Sequence, residues 1–420
     1  MKHEHYDCVV LGAGPAGSAA ATLVAEAGFS TLLVDRESLP RFHVGESLMP
    51  ETYWPLQRLG VLDRLKKSPH TKKYSVQFVN HQGRASAPFY FNQHDPRECS
   101  QTWQVVRGDF DQMLFENARE KGADCRDKTK VTEIFFEGDS KRCTGVLLQD
   151  SDGQLTKVNA SVVMDGTGQQ SLIANRLGIR RENPQMRKGA IWTYFRGALR
   201  GEGLDAGATV ILQTGNKDSW FWFIPLRDGI TSVGVVGDSS YLFSGGRKPE
   251  ATFARELAIC PALQERLQAA EQIESFRVAR EFSYKSTEAA GDGWVLIGDA
   301  YGFIDPVYSS GVYFALKMGE MAADCVVEGL KKSDISAAQL GGWANEFDTA
   351  ANHLRKLVAA FYTREFSIAK FIKAHPEHRT NLVDLLIGRI FHPEAGKIFE
   401  DMDPWLAEAK SATVPSMGSI

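Results

Sequence analysis

Three groups of residues in this chain of 420 have the types and spacing to do chemistry. The first is Gly12-Ala-Gly14-Pro15-Ala16-Gly17, which follows the apolar run Tyr6 to Leu11. Glycines spaced G-x-G-x-x-G allow a tight turn, close backbone approach to a pyrophosphate and close packing of the next helix on the strand. The N-terminus of that helix adds a positive field. Asp35 stands 18 residues after Gly17 at the end of a second apolar segment, with Arg36 beside it, and is placed to accept from ribose hydroxyls. This pattern announces a dinucleotide without saying which one.

The second group, nearly 300 residues away, decides between dinucleotides. Trp294-Val-Leu-Ile leads into Gly298-Asp299, which sets a carboxylate at the C-terminal end of a strand, within reach of ribityl or ribose oxygens. Pro306 and the turn Ser309-Ser310-Gly311 then open a long buried helix read from Ser310 to Val327. Backbone amides at a helix start stabilise negative charge, here on the pyrimidine edge of a reduced flavin. Together the two ends describe one FAD site. The third group is Trp220-Phe-Trp222-Phe-Ile-Pro225, with the dibasic step Lys72-Lys73. Trp220 and Trp222 share one face of a strand by period two. On spacing alone they are also the inner face of a packed sheet, and Lys72-Lys73 a solvated pair.

The elements that must position these residues are legible from periodicity. Tyr6 to Leu11, Pro15 to Glu26 and Thr31 to Asp35 form a βαβ unit of about 30 residues. The loop Leu39 to Pro50 carries Arg41, Glu46 and Ser47; the helix after it, through Thr52 to Leu59, takes Ser47 as cap and Pro50 as its first residue. A short strand, Trp103 to Val106, delivers Arg107 to a helix reaching Glu120. Strands near 130–137, 142–149 and 157–164 lead to Asp165-Gly166-Thr-Gly168. Residues 186 to 284 turn β-rich, and beyond 335 the pattern is helical only, as in Leu354, Leu357, Val358 and Phe361. The expected fold is α/β plus β, a Rossmann-like FAD-binding domain with an inserted antiparallel-sheet domain and a helical C-terminal region. The divisions are residues 1–80, 101–185 and 275–334 for FAD, 81–100 and 186–274 for substrate, and 335–420 for the helical region.

With these motifs the chain resembles the FAD-dependent monooxygenase superfamily of the p-hydroxybenzoate hydroxylase-type fold, from residue 5 to about 330. Within it, Trp220-x-Trp222-x-Ile-Pro225, Phe42-His-Val-Gly-Glu-Ser-Leu48 and Phe303-Ile-Asp-Pro-Val-Tyr-Ser-Ser-Gly-Val312 resemble flavin-dependent halogenases of the phenol and pyrrole branch. The resemblance implies FAD contacts from Gly12, Gly14, Pro15, Ala16, Gly17, Asp35, Arg36, Arg41, Glu46, Ser47, Arg107, Asp165, Gly166, Gly298, Asp299, Pro306, Ser309, Gly311 and Val312. It implies a halide seat, for chloride or bromide, at Ser310 and Gly311. Lys73 falls where that family places its active lysine, and Trp220 with Trp222 would wall the substrate off from the flavin. Reduced FAD and oxygen would convert halide to hypohalous acid, which Lys73 would present to an electron-rich ring. Two residues depart from the family pattern. Ser75 replaces a glycine, and Tyr308 replaces the glutamate of tryptophan halogenases, which argues against free tryptophan as substrate.

The implied partners are a small aromatic substrate, free or tethered to a carrier protein, and a separate flavin reductase, because no second Gly-rich fingerprint serves a nicotinamide. Direct hydroxylation, or reduction of the geranylgeranyl reductase kind, is the alternative use of the same scaffold. A net charge of -4 speaks against nucleic acid. Cysteines 8, 99, 125, 143, 260 and 325 form no C-x-x-C and read as reduced cytoplasmic thiols. No run approaches the roughly 20 apolar residues that span a bilayer. His375-Pro-Glu-His378 lacks metal-ligand spacing and reads as a surface loop.

Overall fold

A computed structural model describes residues 2–138, 141–280 and 282–411. The first sheet has the order Ala290–Gly291, Trp294–Leu296, Leu155–Asp165, Lys2–Leu11, Thr31–Val34, Asp124–Arg126. The four longest-range neighbours in it pair in parallel. Lys130–Phe136 and Cys143–Gln149 extend it as antiparallel strands off Leu155–Asp165. The parallel strands are apolar on both faces because helices cover both. Val9, Val10, Leu32, Leu33, Val162 and Val163 are fully or almost fully buried.

The helix Pro15–Glu26 begins where expected, with proline in its first turn. It packs against the long helix Gly311–Lys332 at small residues, which is how the two ends of the sequence meet. A Cβ on Gly319 would lie 2.5 Å from the Ala16 carbonyl oxygen, and one on Gly298 would lie 2.9 Å from the Ala16 Cβ.

The second sheet runs Glu271–Gln272, Lys188–Arg196, Ile230–Asp238, Ser219–Pro225, Thr209–Gln213, Ser75–Val79, Phe89–Tyr90. Its central pairs are antiparallel, while Thr209–Gln213 and Ser75–Val79 run parallel. Ser75–Val79, which the sequence grouped with the nucleotide-binding unit, therefore pairs in the second sheet. Lys73 ends the short strand before it, Thr71–Lys73, which pairs with Thr102–Gln104. The helix Ala344–Tyr362 buries Leu354, Leu357 and Val358, three members of the stripe read from periodicity.

Two local expectations need correction. Ser47 does not cap the helix after the loop: Pro50–Thr52 is a 3-10 turn without a side-chain cap, and the Ser47 hydroxyl is engaged elsewhere. His375 to His378 is not a surface loop. His375 closes the helix Ile368–Ala374 and stacks on Phe371, and His378 is buried with Nε2 2.8 Å from Asp401. Atoms of His375, Glu377 and Asp401 come within 4.8 Å of one another.

Candidate active site

One cleft takes its floor from the C-terminal ends of the parallel strands and its opposite wall from the second sheet. The floor is made by two strand-to-helix turns in contact. Gly12 has φ +90°, and a Cβ there would lie 2.5 Å from the Gly166 carbonyl oxygen. Only glycine meets both demands. Gly14 faces the cleft; a Cβ there would project into it, with its nearest neighbour, an Arg41 guanidinium nitrogen, 3.8 Å away. Gly17 is a packing residue instead, with Gly12 oxygen 1.9 Å from where its Cβ would sit. Asp165 also stands behind the floor. Its carboxylate accepts from the Thr167 amide (3.0 Å), the Thr167 hydroxyl (2.6 Å) and the Ile173 amide (2.7 Å), which fixes the Gly166 turn.

Asp35 accepts from the Ala13 amide at 2.9 Å through one carboxylate oxygen and from the Glu37 amide at 2.9 Å through the other. Arg41 approaches the first oxygen at 3.2 Å and reaches Asp111 at 2.9 Å. Arg107 holds the same Asp111 through two bonds, at 2.9 and 3.0 Å, and donates to the Val44 carbonyl at 2.5 Å. The fully buried Asp111 thus sets both arginines. Sequence reasoning missed it, although the spacing Arg107 to Asp111, one helical turn, was a signal. Across the cleft, Asp299 has no protein hydrogen-bond partner for its carboxylate among the described residues, and burial raises its pKa to about 6. An acceptor left open suits the hydroxyls of FAD, and the amides of the glycine turn and helix N-terminus suit its pyrophosphate.

Lys73 is not solvated. It is 4% exposed, donates to Ser47 Oγ at 2.9 Å and to the Leu48 carbonyl at 3.0 Å, and lies 5.6 Å from the Phe91 ring centroid. No carboxylate pairs with it among the described residues, and desolvation lowers its pKa to about 7. Trp222 lines the cleft and donates to the Ser232 hydroxyl at 3.1 Å; Trp220 lies deeper and donates to Tyr362 at 3.0 Å. Their rings are 6.4 Å apart, and Trp192 stands 6.2 Å from Trp222. Gly234 makes room for this cluster, since a Cβ there would lie 2.2 Å from the Trp222 ring.

Residues 5–317 match the family model of the FAD binding domain. A flavin-dependent halogenase of Armillaria mellea is 31% identical over 377 residues, 85% of this chain and 69% of the fungal one. The chain belongs to the flavin-dependent halogenases. A 1H-pyrrole-2-carbonyl-[peptidyl-carrier protein] chlorinase of Pseudomonas fluorescens is 28% identical and aligns over 98% of this chain and 95% of its own. Among solved structures, a flavin-dependent brominase superposes with a TM-score of 0.86 at 26% identity, covering 97% of this chain and 100% of that one. The chain is thus an FAD-dependent oxidoreductase, and these relatives favour halogenation over the hydroxylase and reductase uses of the scaffold.

In this halogenase, Pro15, Ala16, Arg36, Glu46, Ser47, Gly298, Pro306, Ser309, Gly311 and Val312 also face the cleft. Glu46 is buried and accepts from Tyr194 at 2.6 Å, which ties the loop to the second sheet. Ser310, proposed as half of the halide seat, lies behind the cleft wall; Gly311 is on it. Ser309 adopts φ +59°, a left-handed conformation that a non-glycine residue enters at some cost. Tyr308 is buried, donates to the Leu357 carbonyl at 3.4 Å and packs edge-on to Phe361. Ser75, the other departure from the family pattern, donates to Asp205 at 3.1 Å. Sequence reasoning did not identify Thr209, Ile211 and Ile224, which face the cleft from the second sheet. Their period-two alternation within strands was the available signal.

Proposed function

We propose that the chain halogenates an electron-rich aromatic ring presented on a carrier protein, with Lys73 holding the oxidised halogen and Trp220 and Trp222 separating flavin from substrate. The observation that carries this reading is the buried, carboxylate-free Lys73 at the back of the flavin cleft. Bound FAD would supply the reducing equivalents that let oxygen oxidise halide. Gly12, Gly14, Ala16 and Asp35 would hold its adenosine and pyrophosphate half, and Asp299 with the Gly311 and Val312 amides its flavin half. At the start of the helix Gly311–Lys332 the first amides have no intrahelical acceptor and can face an anion, which suits a halide at Gly311. A lysine whose charge is balanced near neutral pH can donate a hydrogen bond as ammonium or act as a nucleophilic amine.

The second sheet and residues 81–100 and 186–274 form the substrate side in this reading. Support for a tethered ring comes from the chlorinase of Pseudomonas fluorescens and a brominase of Pseudoalteromonas luteoviolacea, both named for a pyrrole-2-carbonyl carrier substrate. The same reading places the enzyme in the cytoplasm with a separate reductase; no helix is long and apolar enough to cross a membrane among the described residues.

The test is to reduce the bound flavin with a separate reductase and supply oxygen with chloride or bromide. Pyrrolyl and phenolic acids are offered free and as carrier thioesters. Halogenated thioester is the expected product. Oxygenated product without halide would overturn the halogen assignment, and turnover of the free acids alone would overturn the tether. Lys73→Met is expected to leave flavin reoxidation unchanged while halogenated product falls below detection.

A further inference from the structure

Lys73, Ser47, Thr209 and Gln104 form an unbroken polar string, and counting its hydrogens leaves one over. Lys73 donates to Ser47 Oγ, which lies 2.9 Å from Thr209 Oγ1. Thr209 Oγ1 also accepts from Gln104 Nε2 at 2.8 Å, and the other hydrogen of that amide goes to the Gly207 carbonyl at 2.9 Å. A carbonyl only accepts, so the orientation of the Gln104 amide is fixed. The two hydroxyls own two hydrogens, and the bond between them uses one. The other has no protein partner among the described residues, and Ser47 and Thr209 are both residues of the cleft wall. All four side chains are buried, which strengthens the bonds among them.

We propose that Ser47 and Thr209 are a proton relay joining Lys73 to the flavin cleft, with the spare hydroxyl hydrogen as its delivering end. A proton leaves Nζ for Ser47 Oγ, the Ser47 hydrogen passes to Thr209 Oγ1, and the Thr209 hydrogen passes to a basic oxygen or nitrogen in the cleft. One N–H bond is broken at Lys73 and one bond to hydrogen forms in the cleft. The lysine is left as a neutral amine and no electrons move. With the amine formed, the hydroxyls reverse: Thr209 donates to Ser47 and Ser47 to Nζ, and the cleft faces a lone pair in place of a hydrogen. The relay rests on the role proposed for Lys73 and extends it, because it states how that lysine's charge is felt at the flavin.

The setting favours transfer at neutral pH, since burial brings the Lys73 pKa to about 7. The elements packed around it carry two carboxylates, and both are engaged elsewhere. Glu46 is bonded to Tyr194, and Asp205 to Ser75 and Tyr90. On the other elements Lys73 meets the Phe91 ring, the Leu48 carbonyl and, across its strand pair, Thr102.

The test uses resting, oxidised holoenzyme without halide or substrate, so it stands or falls independently of halogenation. The visible absorption of the bound FAD is titrated across neutral pH. Because Asp305 also titrates near 7 beside the flavin turn, every variant carries Asp305→Asn; that parent is expected to show a band shift with a midpoint near 7, absent when Lys73→Met or Thr209→Val is added and restored with Thr209→Ser. Ser47→Ala cuts the string at its first link and is expected to lose the shift as well, which keeps the test decisive if Thr209→Val does not fold. A shift that persists in Thr209→Val or in Ser47→Ala with an unchanged midpoint would overturn the relay.

Discussion

Burying Lys73 costs the fold stability, and the chemistry proposed for this lysine depends on that burial. Its folded pKa lies near 7, against 10.5 in the unfolded chain. Below 7 both states bind the proton and the whole desolvation penalty is present; between 7 and 10.5 the unfolded state holds the extra proton, so stability rises with pH. The full span corresponds to about 5 kcal/mol. Lys73→Met is therefore expected to raise Tm at neutral pH and to flatten the rise toward pH 10, as read by thermal melts of wild type and variant. Asp299 makes a second case. Burial holds its carboxyl up near 6, and hydroxyl donors of FAD would favour the charged form. FAD affinity should weaken as pH falls through about 6, with the dependence absent in Asp299→Asn; fluorescence titration of FAD across that range measures it.

At the scale of elements, the decisive one is the loop from Leu39 to Leu48, which has no regular structure of its own and is held from both sides. Arg41 and Arg107 pin it to Asp111 on the helix Arg107–Glu120. From the second sheet Tyr194 takes Glu46, and Arg277 lies 3.5 Å from the centroid of the Phe42 ring. Asp111→Asn removes the charge that orders both arginines in the dry interior, at a cost of order 2–3 kcal/mol. It should weaken FAD binding by at least about tenfold, read by equilibrium titration, with the far-ultraviolet dichroism of the fold retained. The strand Ile230–Asp238 supplies a different test. Gly234→Ala places a methyl inside the Trp222 and Trp192 contact and should lower stability by about 1–3 kcal/mol, measured by denaturant unfolding.

Across the whole molecule, three parts of the chain meet behind the flavin turn. Trp220 from the second sheet donates to Tyr362 at the end of the helix Ala344–Tyr362, and Tyr362 donates to Asp305 at 3.0 Å just before the turn Pro306 to Ser309. Asp305 also accepts from the Val307 amide at 2.9 Å, and burial raises its pKa to about 7. A carboxyl raised from 3.8 to about 7 lets the fold hold a proton that the unfolded chain releases, so stability falls as pH climbs through that window. The limb is opposite in sign to that of Lys73, and the two meet near neutral pH, where together they stabilise the fold least. Asp305→Asn should remove the part of the acidic limb that runs up to about pH 7, leave the part that Asp299 contributes up to about 6, and leave the alkaline limb, as read by melts from acid to alkaline pH.

The turns at Gly12 and Gly298, the helix start at Pro15 and the tryptophan strand could all be read from the chain, because each is a local demand of backbone geometry or side-chain period. Residue type alone also announced FAD, since glycines, an acidic strand end and a second strand-to-helix turn have few other uses together. What the chain could not show was which side chains meet. Asp111 joins Arg41 and Arg107 only when the loop folds over its helix, and Ser47 faces Lys73 and Thr209 instead of capping the helix that follows it. The family resemblance already singled out Lys73 over Lys72, but spacing alone left both as a solvated pair, and only the tertiary structure showed that Lys73 is buried. The strand pairing buries one side chain and exposes its neighbour, and desolvation, which sets the lysine's charge, is a property of the packed interior.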